Sequence, residues 1–347
     1  MLRCFLLAAA VLAVQFLGTT VAAADTPAVR VITDRTEAHL KPLFAKFTAA
    51  TGTPVEAIYV DKGLLSRVKT NPTEADVVIT AAVENLERAR VDKLLRPYAP
   101  AVVGALPAQF QDEDRAYAII AYRARGIFAS KERVPAGSIA TYEDLISPKL
   151  KGKVLIRSGV HDYNIALFSQ LAESRGMEWT KRFIAGLKEN RARVPKGGDR
   201  DQVRAVRDGE GDVAVGNSYY MAIMLANPEQ KPWAEAVHFA FPDQQGKGAI
   251  VMKAGAALTT ADRAVAQASA LLGYLVGPEA QAYFSTTLNE YPVLPGTPIS
   301  EQNKQTLGTG QSEVKDGRFA IDAVSVRAAD KHRDAIVAYL NEIAFDQ

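Results

Sequence analysis

The sequence predicts an α/β protein of two lobes joined by two crossing strands, with a cleft between them. Short β-type apolar runs alternate with segments whose apolar residues recur at helical spacing, the pattern of a mostly parallel sheet covered by helices. The run 117–129 is long for one strand, so it can leave one lobe and enter the next. The run 237–241, followed after a turn by the apolar stretch 249–252, suggests a second crossing. The length of 347 residues agrees, since it suggests roughly two domains of about 150 residues each.

Taken in order, 29–33 is a strand that turns at Asp34-Arg35-Thr36 into a helix over 37–51, where Leu40, Leu43, Phe44 and Phe47 recur and Gly52 stands just past the end. Strands at 55–60 and 76–80 alternate with helices at 64–69 and 83–91. After the long run come a short helix at 142–146 and a strand at 154–157. Helices over 163–174, 177–189 and 199–208 complete a second α/β unit. Further helices are expected at 261–276, from 279 onward, and over 326–345. The expected division is 25–120 with 242–278 in the first lobe and 121–241 with 279–347 in the second.

The N-terminus reads differently. Met1-Leu2-Arg3 is a positive start, 5–17 is apolar apart from Gln15, and Ala22-Ala23-Ala24 supplies small residues. This predicts a secretory signal peptide, 1–24, with an apolar run shorter than the ~20 residues of a membrane span. The single cysteine is Cys4, inside that segment. The rest of the chain therefore excludes disulfides, thiolate zinc sites, iron–sulfur clusters and cysteine nucleophiles. A periplasmic protein is expected. The formal net charge of +2 implies no broad field for nucleic acid.

The chemistry concentrates at Gly216-Asn217-Ser218-Tyr219-Tyr220, where the apolar run 213–215 passes into a helix start. Ligands of open α/β sheets sit beyond the carboxyl ends of the strands, so this is the expected address of a site. Tyr163 stands at another such junction, after Arg157-Ser158-Gly159-Val160-His161-Asp162. Phenol oxygens become hard anionic ligands once a highly charged cation displaces their protons. A tyrosine-rich site for Fe(III) is the sharper reading, and ordinary packing of part-buried tyrosines the plainer one.

Leu155-Ile156-Arg157-Ser158 leading to Tyr163-Asn164, with the tandem tyrosines downstream, resembles the periplasmic ferric-iron-binding proteins of ABC transporters, the bacterial transferrin-like solute-binding family. Arg123-Ala124-Arg125, Tyr142-Glu143-Asp144-Leu145, Gly277-Pro278-Glu279-Ala280-Gln281 and Asn289-Glu290-Tyr291-Pro292-Val293 agree in order and spacing. The resemblance implies the two-lobed periplasmic binding protein fold, with Tyr163, Tyr219 and Tyr220 as iron ligands. The family often takes a further ligand, commonly His or Tyr, from the end of the first strand. Here that stretch departs from the pattern and offers Glu37 as an oxygen donor, with a helix-start carboxylate as its plainer role and His39 a further candidate. Ala81 and Ala82 stand where some relatives carry a Glu, so an anion such as carbonate, or water, is expected to complete the sphere in place of protein.

Arg123 resembles the family's anion-binding arginine, and a guanidinium fork matches carbonate geometry. Ser158 and Gly159 at a helix N-terminus, Asn217 as an amide donor and Arg35 as a second clamp are the other anion candidates. The resemblance further implies a monomeric receptor that delivers iron to an inner-membrane ABC permease with its ATPase, with no catalysis. Two alternatives stay open. One is a receptor of the same fold for an anion such as a phosphonate, or for another small metabolite. The other is an exported hydrolase, against which stands the lack of any nucleophile–base motif.

Overall fold

The computed structural model describes residues 26–309 and 318–347. The expected signal peptide lies outside them. Among the described residues nine strands form the frame: β1 (Val29–Thr33), β2 (Val55–Tyr59), β3 (Val77–Thr80), β4 (Leu95–Arg96), β5 (Ala118–Ser130), β6 (Val154–Leu155), β7 (Val213–Asn217), β8 (Val237–Ala240) and β9 (Val251–Thr259). Their order is β2-β1-β3-β9-β5-β7-β6, with β4 added on β9 and β8 on β5. The β1 strand pairs parallel to β2 and β3, and β6 parallel to β7, while β5 and β9 run antiparallel to their neighbours. The sheet is therefore mixed rather than mostly parallel, because β5 and β9 cross between the lobes against their neighbours; β3, Val-Val-Ile-Thr, parallel to β1 and antiparallel to β9, is buried throughout.

The 13-residue β5 is buried along its whole length and changes partners half-way. Ala118 to Ala124 pair with β9, and from Arg125 onward the strand pairs with β7 and β8. The long apolar run is thus the expected crossing, and Arg123-Ala124-Arg125 is the place where it passes from one lobe to the other. The chain returns between β8 and β9, with Val251 opposite Ala124. One hydrophobic cluster fills the first sheet and its helices around Val31, Leu43, Phe47, Val77 and Leu271, and continues into the second lobe through Phe128, Ala214 and Phe239. A second, around Ile127, Ile156, Phe168, Phe183 and Leu187, fills the other lobe.

Local signals place most helices as expected. Glu37–Thr51 buries Leu40, Leu43, Phe44 and Phe47, and Gly52, at φ 72°, closes it by donating its N–H to the Thr48 carbonyl. Three expectations change. The helix expected over 261–276 begins at Val265, because Thr259 Oγ1 takes the Ala261 N–H and Ala264 sits at φ −140°. The tail helix is two helices, Val326–Asp330 and Arg333–Glu342. His332, 2.9 Å from the Glu173 carboxylate, stands at the break as cap of the second. The helix Pro278–Thr286, expected in the second lobe, packs on the first: Gln281 donates to the Ile120 carbonyl at 2.8 Å, and Glu279 pairs with Lys46 at 3.3 Å.

Candidate functional site

The β7 strand ends at Asn217, and Ser218 begins the apolar helix Tyr219–Ala226. Ser218 ties this turn to the crossing strand twice: its N–H donates to the Ala124 carbonyl at 2.9 Å, and its hydroxyl accepts the Ala124 N–H at 3.2 Å. The glycine that opens the motif has a steric reason. Gly216 pairs with Gly126 across the β5–β7 ladder, and a Cβ on Gly216 would stand 2.8 Å from the Phe128 ring.

Tyr163 arrives from another direction. It lies in the first turn of the helix Asp162–Arg175, which His161 caps: its Nδ1 accepts the Tyr163 N–H at 3.1 Å. Both turns hang on one buried guanidinium. Arg125 donates to Asn164 Oδ1 at 2.7 Å and to Asn217 Oδ1 at 3.2 Å, and it pairs with Asp199. Arg125 and Asp199 side chains are both fully buried.

The three phenols converge. The Tyr219 and Tyr220 rings lie 4.1 Å apart at 33°. Neighbouring helix positions point about 100° apart, yet these rings stack because both lie in the first turn beside Tyr163. The Arg123 guanidinium sits 5.6 Å from the Tyr163 ring centre and 6.0 Å from that of Tyr219. Burial, then the Tyr163 and Tyr220 phenols, hold the Tyr219 phenol well above its ordinary range. Burial, then Tyr163 and Asp199, raise the Tyr220 phenol as well. Tyr219 and Tyr220 are therefore neutral near pH 7 unless a cation displaces their protons.

Tyr163 and Tyr219 open on a cavity of about 360 Å³ whose opposite wall carries Asp34, Arg35, His39 and Ala81, with Arg123 and Glu290 at its floor. Tyr220 stands behind Tyr219, with Arg200 5.8 Å above its ring. Arg123 donates to the Ala81 carbonyl at 2.6 Å. Asp34 accepts from Thr80 Oγ1 at 2.6 Å and the Ala81 N–H at 2.8 Å. Among the described residues no group of three or more His, Cys, Asp or Glu stands close enough to hold a metal ion.

Of the residues expected at the site, Tyr163, Tyr219, Tyr220, Arg123, Arg35 and Asn217 are brought together. Three are not. Glu37 is exposed and paired with Lys41 at 2.9 Å, on the stripe it shares with Phe44 and Thr48 beside β2; helical periodicity turns it away from the cavity that His39 lines. Ser158 Oγ and the Gly159 N–H donate to the Asp346 carboxylate at 2.5 and 2.7 Å, so the chain's own tail takes those donors.

Residues 73–309, more than half of the chain, match the family described as bacterial extracellular solute-binding protein. The chain belongs to that family. This solute-binding protein is 36% identical over 276 residues to iron uptake protein A1 of Synechocystis sp., covering 78% of this chain and 76% of that one. Its fold superposes with a TM-score of 0.83 on the apo ferric-ion-binding protein A of Pasteurella haemolytica, at 34% identity and covering 93% and 99% of the two chains. With the Trichodesmium protein solved in complex with iron and citrate ligands the TM-score is 0.84, at 32% identity and covering 92% and 99%.

Sequence reasoning missed two residues of the solute-binding protein's cleft. Glu290 is only 6% exposed and pairs with Arg35 at 2.9 Å and Arg123 at 3.6 Å. Its segment stands out in the sequence, but partners 255 and 167 positions away do not. Asp34 is the other; its place at a strand end was the available signal.

Proposed function

We propose that this protein is a periplasmic receptor for ferric iron that holds the ion on the phenolate oxygens of Tyr163, Tyr219 and Tyr220. The convergence of three phenols from two separate turns beside a buried guanidinium is the observation that carries the reading. Iron-binding names among its relatives support it. Phenolates are hard donors suited to a trivalent ion, and each is deprotonated on binding. Arg123, Arg35 and the unpaired Asn217 amide would hold a carbonate or carboxylate anion completing the sphere. The lobes close about the crossing segments, and binding shifts the population towards the closed form. The closed monomer then docks on an inner-membrane ABC permease with its ATPase. It performs no turnover. Among the described residues no helix is long and apolar enough to cross a membrane, in keeping with an exported receptor.

The test is a titration of iron-stripped protein with ferric salt in bicarbonate buffer, followed by visible absorbance. Iron–phenolate coordination gives a coloured complex. Tyr220→Phe should shift the band and weaken binding by more than about a hundredfold, since loss of outer-shell partners alone costs roughly 10–100-fold. Unchanged colour and affinity in that variant would remove the assignment. A colourless protein that binds phosphonate would instead favour an anion receptor, a reading supported by unpartnered N–H groups on Arg35 and Arg123.

A further inference from the structure

Where the wall of the cleft meets its floor stand two buried cations and one carboxylate. Arg35, Arg123 and Glu290 side chains are 4%, 2% and 8% exposed. Arg35 Nη2 donates to Glu290 Oε2 at 2.9 Å, and Arg123 Nη1 lies 3.6 Å from Oε1. One carboxylate cannot satisfy two guanidiniums, and Arg35 Nη1 and Arg123 Nη1 and Nε have no hydrogen-bond partner. Buried N–H groups without acceptors are costly. The arrangement is therefore partly satisfied, and it faces the cavity.

The backbone under Glu290 is fixed. Asn289 turns the chain at φ 56°, the Glu290 N–H donates to the Phe284 carbonyl at 3.0 Å, and Tyr291 exchanges two hydrogen bonds with Tyr122, at 2.7 and 3.0 Å. Tyr122 directly precedes Arg123 on β5. The scaffold delivers this carboxylate to the arginines, leaving only its side-chain torsions to move it away.

We propose that Glu290 is a built-in anion mimic: it occupies the Arg35–Arg123 pair when no anion is bound, and an incoming carbonate- or dicarboxylate-type anion must displace it. Glu290 then sets anion specificity. Single-point or weakly basic anions lose to the resident carboxylate, and only an anion able to engage both guanidiniums bidentately gains enough to replace it. This rests on the reading that the cleft takes a metal together with an anion, but the mimic is testable without metal.

The probe is oxalate, titrated by calorimetry into iron-stripped protein in a non-coordinating buffer. Glu290→Gln keeps the shape and removes the competing charge, and it should bind oxalate at least about tenfold more tightly than the parent protein. Adding Arg123→Gln to that variant should abolish the gain. Equal oxalate affinity in parent and Glu290→Gln, absence of binding in both, or a gain that survives Arg123→Gln would each overturn the proposal. Should Glu290→Gln fail to fold by its melting profile, Glu290→Asp serves: its shorter carboxylate keeps the charge but pulls back from the pair, and tighter oxalate binding is again expected, unchanged affinity refuting the mimic. Loss of iron colour would count against the phenolate site and leave the oxalate result standing.

Discussion

Arg125 and Gly216 show how single residues hold the phenol-bearing turns in place. Arg125 touches neither the cavity nor the exposed face of the tyrosines, yet both tyrosine-bearing turns hydrogen-bond to it. Removing one partner of a buried pair strands the other charge, at a cost of about 3–5 kcal/mol. Arg157, 3.5 Å from Asp199, offsets part of that. Arg125→Met should therefore lower the melting temperature by several degrees in calorimetry and loosen the iron-binding titration, while Arg125→Lys, which keeps the charge but not the fork, should fall between. A melting point equal to the parent's in Arg125→Met would refute the anchoring role. Gly216→Ala drives a methyl into the Phe128 ring, and overpacking of this kind costs about 1–3 kcal/mol. Because the displaced ring underlies the turn before Tyr219, the visible iron band should move as well.

The helix Asp162–Arg175 begins with a histidine cap, which makes its N-terminus sensitive to acid. Burial, then the Arg157 charge, lower His161 from its ordinary 6.5 to about 4. The folded protein thus keeps the ring neutral, so that Nδ1 can accept the Tyr163 N–H, while the unfolded chain takes up a proton below about 6.5. The unfolded state binds more protons between those values, so this contribution is complete above 6.5 and is lost as pH falls towards 4. His161→Asn keeps a capping oxygen without a titrating ring. Its denaturation midpoint should fall less steeply than the parent's between pH 6.5 and pH 4; identical slopes would exclude the cap as the source. The split tail helices act on the same element from its other side, Asp346 accepting from Ser158 and Gly159 just ahead of the cap.

The whole chain is built so that β5 and the return from β8 to β9 are the main-chain links running beside the site. Arg123 sits where β5 changes partners, so relative motion of the lobes moves the tyrosine turns against the arginine floor. On the proposed phenolate coordination, loading expels phenol protons, since burial and mutual proximity keep Tyr219 and Tyr220 neutral. Iron uptake should therefore release protons into a weakly buffered solution, and apparent affinity should fall as the medium is acidified. A pH-stat trace with no proton release on loading would contradict phenolate coordination.

Much of this was readable from the residues alone. The alternation of β-type runs and helical spacings yields an α/β fold, because each pattern reports which side of an element meets the core. The long run at 117–129 announces a crossing because few strands need that many buried positions. The tyrosines stand at strand-to-helix turns, where sheets present ligands. What stayed hidden depends on contacts between distant segments. Periodicity places Glu37 beside Lys41 and Phe44, but which side of that helix meets the cleft depends on how it packs. Asp346 takes the donors of Ser158 and Gly159 because the tail folds back across 187 and 188 positions. Glu290 meets Arg35 and Arg123 only once the segment after Pro278–Thr286 has docked on the first lobe. Local propensity acts over a few residues, whereas the pairing of buried charges is settled by the packing that encloses them.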